Sequence, residues 1–156
     1  MPSNQEMQQQ ILQQLSQAFT AIPFNQMLGL HLNHIAPDQA SMSFTMKNDL
    51  IGNFLFGILH GGVISSVLDM AGGVAVMAAA IHKHPNASMT ELVEIVGRCS
   101  TVDLQVSFLS PGKGDLFTAK AWLLKSGNHI SFTRMELYNQ DDVLIATGNG
   151  TYLISN

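Results

Sequence analysis

The sequence predicts an α+β domain in which a mostly antiparallel sheet of about six strands wraps one long apolar helix, with a further helix in front. Three observations lead there. Residues 60–77 read as a nearly uncharged helix entered through two glycines. The flanking segments alternate apolar and polar residues, the period of half-buried strands. The later strands are separated only by short turn clusters, which is how antiparallel neighbours are joined. A helix lying on one strand surface buries the apolar face of both. No linker, repeat or low-complexity boundary interrupts residues 1–156, so one domain is expected, with residues 1–22 as its N-terminal helix and lead-in.

Taken in order, Ser3-Asn4-Gln5-Glu6 is a capping-box pattern. Behind it Met7, Ile11, Leu12, Leu15, Ala18 and Phe19 recur at helical spacing, giving an amphipathic helix over 4–20 that Pro23 ends. The glutamines are its wet face. Residues 28–36 look extended, and Pro37-Asp38-Gln39 is a turn. Ala40, Met42, Phe44 and Met46 then alternate with Ser41, Ser43 and Thr45. A loop rich in Gly and Phe, 48–59, delivers the chain to the long helix, which His82-Lys83-His84-Pro85-Asn86 breaks. Residues 90–99 fit either a short helix or the entry to a strand. From Thr101 the alternation is clear through Phe108, and Ser110-Pro111-Gly112-Lys113-Gly114 is a turn. A strand to Lys125, another over 129–139 and a last over 143–154 are joined by Ser126-Gly127-Asn128 and Gln140-Asp141-Asp142, forming an antiparallel meander.

Composition excludes several function classes. The chain is 46% hydrophobic and only 12% charged, with a formal net charge of −4, which suits a full core and further burial in an oligomer. No basic patch is present, so no nucleic-acid partner is expected. The single cysteine, Cys99, excludes an intramolecular disulfide and fits a reducing compartment. Arg98 beside it would lower its pKa, but without a nucleophile context a structural role is the better reading. Residues 1–10 are polar and glutamine-rich, unlike a signal peptide, and a cytoplasmic protein is expected. The uncharged run 50–68 is long enough to span a membrane. Its Gly52, Asn53, Gly57, His60, Gly61, Gly62, Ser65 and Ser66 would face lipid poorly, so no membrane partner is expected. No phosphate-loop or dinucleotide glycine pattern occurs, and His31 with His34, or His82 with His84, lacks a completing carboxylate or Cys, so neither cofactor nor metal is expected. Ser65 and Ser66 sit in no G-x-S-x-G elbow.

What remains is one carboxylate. Between Asp49 and Lys83 only Asp69 carries a formal charge, and a lone charge in so apolar a run is costly to bury. At about 100° per residue, Ile64, Val67, Ala71, Val74 and Ala78 share one face and Asp69 lies on the other. Its neighbours there are Ser65, Ser66, Gly72 and Gly73, all small, forming a shallow trough that admits a ligand or another chain. A helix–helix contact with a hydrogen-bonded Asp fits this spacing equally well. At the helix start, His60-Gly61-Gly62 presents backbone N–H groups without intrahelical partners, able to hold an anion or polarise a carbonyl. Asp69 lies roughly 13 Å beyond His60 along the axis. One chain's Asp69 and its own Gly62 therefore hardly act on the same small group, and two copies are expected to supply them. Asn53 either reaches back to this helix start or simply completes a turn.

The pattern Asn53, Gly57, His60-Gly61-Gly62 and Asp69, followed by the strand stretch 101–115, resembles the hotdog-fold acyl-CoA thioesterases of the PaaI-like group, over about residues 28–154. The resemblance implies a hotdog fold, no cofactor, and hydrolysis of a fatty or aromatic acyl-CoA to free acid and CoA. It implies Asp69 as nucleophile or general base, and Gly62 N–H of the partner subunit as donor to the thioester carbonyl. Asn53 and His60 would shape that subsite, and Thr101 would orient water. Gly61 at the helix start and the trough residues Ser65, Ser66, Gly72 and Gly73 become substrate-binding candidates, in a homodimer or dimer of dimers. Asn53 stands seven residues before His60, where several relatives have six. The segment 83–99 is longer than usual and is expected to gate or narrow the acyl tunnel. Met70 and Met77 suit either an adaptable acyl pocket or plain core. The rival from another class is a non-catalytic acyl-CoA-binding or structural dimer.

Overall fold

A computed structural model describes residues 4–154. Ser3, the expected first cap, lies outside them. The first helix, α1, spans Asn4–Ala21. Pro23 ends it and also opens a second, α2 (Pro23–Leu28), because its missing N–H is harmless in a first turn. The strands β1 (His31–Ala36) and β2 (Gln39–Thr45) follow as a hairpin. The loop expected over 48–59 holds a 3-10 turn and a small ribbon of β3 (Ile51–Asn53) and β4 (Ile58–Leu59). The central helix α3 is Gly61–Lys83. The undecided stretch after it is helical, α4 (Met89–Gly97), and Ser88 with Glu91 forms a complete capping box at its start. Four strands complete the chain: β5 (Cys99–Phe108), β6 (Leu116–Ser126), β7 (Ile130–Asn139) and β8 (Leu144–Ile154).

The main sheet is six-stranded in the order β1-β2-β6-β7-β8-β5, with every pair antiparallel. The expected meander is β6-β7-β8. The turn at 110–114 does not make a hairpin: the chain leaves β5 at one edge and crosses the sheet end to enter β6. This is the hotdog arrangement, with α3 laid across the sheet. Ile64, Val67, Ala71, Val74 and Ala78 are all buried, as the helical period requires. The first four pack on Met42 and Phe44 of β2, Phe117 and Ala119 of β6, Met135 and Leu137 of β7 and Ala146 of β8. Alternation in β2 and β6 places those apolar side chains on one face, and Phe44 and Phe117, direct partners in register, stack with ring centroids 5.2 Å apart. By length and composition α3 would cross a membrane, yet 67% of its most apolar window is buried inside the protein.

Where α3 faces β8, two glycines make room for one large side chain. Tyr152, 1% exposed, lies between Gly72 on α3 and Gly150 on its own strand. A Cβ at Gly72 would stand 2.3 Å from the Tyr152 hydroxyl oxygen, and one at Gly150 would stand 2.5 Å from a ring carbon. Gly72→Ala and Gly150→Ala are therefore each expected to lower unfolding stability by about 1–3 kcal/mol, the usual cost of overpacking, read from urea denaturation midpoints.

Candidate active site

Asp69 sits midway along α3 and is only partly buried. Two donors meet its Oδ1. The Thr101 hydroxyl donates to it at 2.9 Å, and the Tyr152 hydroxyl approaches it at 3.2 Å while donating to the Asp69 backbone carbonyl at 2.8 Å. Thr101 and Tyr152 are direct partners across the β5–β8 ladder, so one rung of the sheet delivers both hydroxyls to one carboxylate oxygen. Oδ2 carries no hydrogen bond among the described residues. Burial above all, then the charge of Asp69 and its hydrogen bond, push the Tyr152 hydroxyl far above its ordinary range. It remains a protonated donor wherever the protein works.

Cys99 stands near the same carboxylate. Burial first, and the Asp69 charge second, raise its thiol to about 11. Arg98 points instead toward Glu94, at 4.0 Å, and does not activate the thiol. Cys99 is a structural neighbour of the site.

The carboxylate opens onto a cavity of about 560 Å³ whose other walls are almost wholly apolar. Leu15, Phe19, Ile22 and Phe24 come from α1 and α2, Met70, Val74 and Met77 from α3, and Val96 from α4. The lead-in helices and the segment 83–99 thus build the pocket walls. Met70 and Met77 both line it. The arrangement is one carboxylate, oriented by two hydroxyls, facing a space that favours hydrocarbon.

The remaining sequence candidates gather at the far end of α3. His60 caps the helix, its Nδ1 accepting from the Gly62 N–H at 2.8 Å. Ser65 and Ser66 donate back to the carbonyls of Gly61 and Gly62, at 3.0 and 2.7 Å, so both hydroxyls serve the helix itself. Asn53 accepts from the Leu55 N–H at 3.1 Å and, through its carbonyl, from the Gly57 N–H at 2.9 Å; it completes the β3–β4 turn. None of these lines the carboxylate cavity. Of the trough glycines, Gly73 lines it, whereas the space beside Gly72 is filled by Tyr152 and is closed to a ligand. One chain therefore brings together Asp69, Thr101 and Gly73. It keeps His60, Gly61, Gly62, Ser65, Ser66 and Asn53 apart from them. Tyr152 was missed from the sequence; a buried tyrosine hydroxyl needs a partner, and that was the available signal. Among the described residues, no three His, Cys, Asp or Glu side chains are grouped to hold a metal ion.

A hotdog sheet around a helix that presents one oriented carboxylate to an apolar cavity defines a hotdog-fold thioester hydrolase. The chain belongs to the thioesterase superfamily, whose family model matches residues 56–146. It is 39% identical to the medium/long-chain acyl-CoA thioesterase YigI of Salmonella typhimurium over 133 residues, covering 85% of this chain and 86% of that protein. The YigI of Escherichia coli K12 is 38% identical with the same coverage. Among solved structures, a protein of Shewanella oneidensis related to the thioesterase superfamily superposes with a TM-score of 0.91 at 35% identity, covering 96% of this chain and 98% of that one.

The raised Cys99 thiol gives a direct check on the site's electrostatics. Moving from 9.0 to about 11 leaves roughly a hundredfold less thiolate at neutral pH. Alkylation by iodoacetamide at pH 7.5 is expected to be at least about fiftyfold slower in the native protein than in urea. Asp69→Asn should speed the native reaction by removing the neighbouring charge.

Proposed function

We propose that this protein hydrolyses acyl-CoA thioesters with aliphatic, medium to long acyl chains, releasing the free acid and CoA, and that it does so in the cytoplasm. The observation that carries this reading is Asp69, held at Oδ1 by Thr101 and Tyr152, on the wall of the apolar cavity. A thioester carbonyl is already electrophilic, so an oriented carboxylate and a donor for the developing oxyanion supply most of what is needed. In the general-base course, Oδ2 takes a proton from water, the hydroxide adds to the carbonyl, and the tetrahedral intermediate collapses with loss of the C–S bond. The proton then passes to the departing CoA sulfur. In the nucleophilic course Oδ2 itself adds to the carbonyl carbon, and the C–S bond breaks to release CoA thiolate and leave an acyl anhydride on Asp69. Water then hydrolyses the anhydride to the free acid and the Asp69 carboxylate, its released proton going to the CoA thiolate. Thr101 and Tyr152 fix the same oxygen in both.

The oxyanion donor is proposed to come from a second copy. Gly62 N–H stands at the start of α3, well away from its own Asp69, and His60 Nδ1 occupies it until a thioester oxygen takes the ring's place. Gly61, at the first helical position, adds an N–H with no intrahelical acceptor. The exposed β5 edge, with Val102 and Phe108, and the Phe54-Leu55-Phe56 tip supply apolar surface for a homodimer, and further for a dimer of dimers. Asn53 and His60 would then border the thioester from the partner side, with Ser65 and Ser66 holding that helix turn in place.

Two experiments test this. Asp69→Asn is expected to lower kcat on dodecanoyl-CoA by a factor of about 10³ or more, while substrate binding by calorimetry persists; wild-type turnover in the variant would end the assignment. Co-expressing Asp69→Asn with Gly62→Pro chains should recover activity, because each mixed dimer regains one intact site. Had both groups belonged to one chain's site, no mixture would recover any.

A further inference from the structure

We propose that the acyl chain continues past the carboxylate cavity into a second apolar cavity between α1 and α4, which serves as the distal acyl subsite and sets the preference for longer chains. This rests on the thioesterase reading above. The second cavity measures about 400 Å³. Ile11 and Leu15 of α1, Ile81 in the last turn of α3, and Leu92, Val93 and Val96 of α4 form its walls. No charged side chain lines it, and Gln14 is its one polar side chain. An ionised or heavily hydrated ligand finds no partner there, whereas a hydrocarbon chain needs none.

Continuity with the first cavity identifies the occupant. Leu15, Ala18, Val96 and Gly97 line both spaces, so the two share a wall rather than lying on separate faces. Gly97 lies exposed on that shared wall, with nothing within 4 Å of the position a Cβ would take. A chain whose thioester stands at Asp69 fills the first cavity and reaches the second along this wall. The segment 83–99, expected from the sequence to gate the tunnel, then does so through one face of α4. Each further methylene moved from water into such a space raises affinity by about fourfold, up to the length at which the cavity is full.

Gly97→Leu and Val93→Trp test the proposal. Gly97 is helical with open space around it, and Val93 is 63% exposed, so neither change crowds the core. Both variants would be compared with wild type for kcat/KM on hexanoyl-CoA and dodecanoyl-CoA, with folding checked by thermal denaturation. In wild type the dodecanoyl substrate is expected to be preferred by at least tenfold, and in Gly97→Leu that ratio should fall at least fivefold, with Val93→Trp moving it the same way. A wild-type preference for dodecanoyl-CoA that neither folded variant reduces would overturn the distal subsite and leave the thioesterase reading intact. Failure of wild type to hydrolyse either substrate would instead remove the activity on which the subsite depends.

Discussion

The contact on which the site depends is the pair of hydroxyls that Thr101 and Tyr152 bring to Asp69 Oδ1. A carboxylate on an otherwise uncharged stretch of helix is tolerated only where its charge is met by donors or water. Here both donors come from one rung of the β5–β8 ladder, so the geometry of the carboxylate is as firm as the sheet. The same hydroxyl of Tyr152 also takes the Asp69 backbone carbonyl, tying main chain and side chain to one point. Position and orientation are thereby set on one oxygen, and the other carries no hydrogen bond among the described residues.

That contact explains features of the fold that otherwise look unrelated. Tyr152 reaches Asp69 only because α3 lies close to β8, and the close approach needs Gly72 and Gly150. Ala71 and Ala75, on the neighbouring turns, are small and fully buried against the core. α1, α2 and α4 have no part in the sheet, yet their apolar faces close the space in front of the carboxylate. The sheet and α3 thus position the carboxylate, and the surrounding helices form the apolar lining of the space before it. In the proposed reading the first would carry the chemistry and the second the fit to the acyl chain.

How much of this was legible in the sequence follows from which forces are local. The buried stripe Ile64, Val67, Ala71, Val74 and Ala78 was readable because a 3.6-residue period needs no partner to be seen. From the sequence α4 stays undecided against a strand entry, although Ser88 and Glu91 carry the signal, since their reciprocal bonds are confined to four consecutive residues. Sheet order was not readable. The turn at 110–114 does not say that β5 pairs with β8 rather than with β6, because pairing across such distances is decided by the whole core. Asp69 stood out as a lone charge, and Thr101 entered only through family resemblance. Tyr152 lies 83 residues from Asp69, and nothing near it in the chain names its partner. Gly72 shows the reverse error: a small residue leaves room, but the sequence does not say that a side chain of the same protein takes it.

The length of α3 carries the last step. Its N-terminal glycines and its carboxylate are both suited to a thioester, one to the carbonyl oxygen and the other to the incoming water or the carbonyl carbon. A helix rises about 1.5 Å per residue, so seven residues hold Gly62 and Asp69 about 10 Å apart, too far for both to serve one carbonyl. Shortening the helix would not help, because the residues between them carry Ile64, Val67 and Leu68 into the core. The core therefore fixes the separation on which the proposal of a two-chain site rests. In the proposed dimer, two antiparallel copies of the same helix convert that separation into complementarity, with each carboxylate set against the other copy's amides. The exposed β5 edge and the apolar β3–β4 tip are then the surfaces that bring the two helices into register.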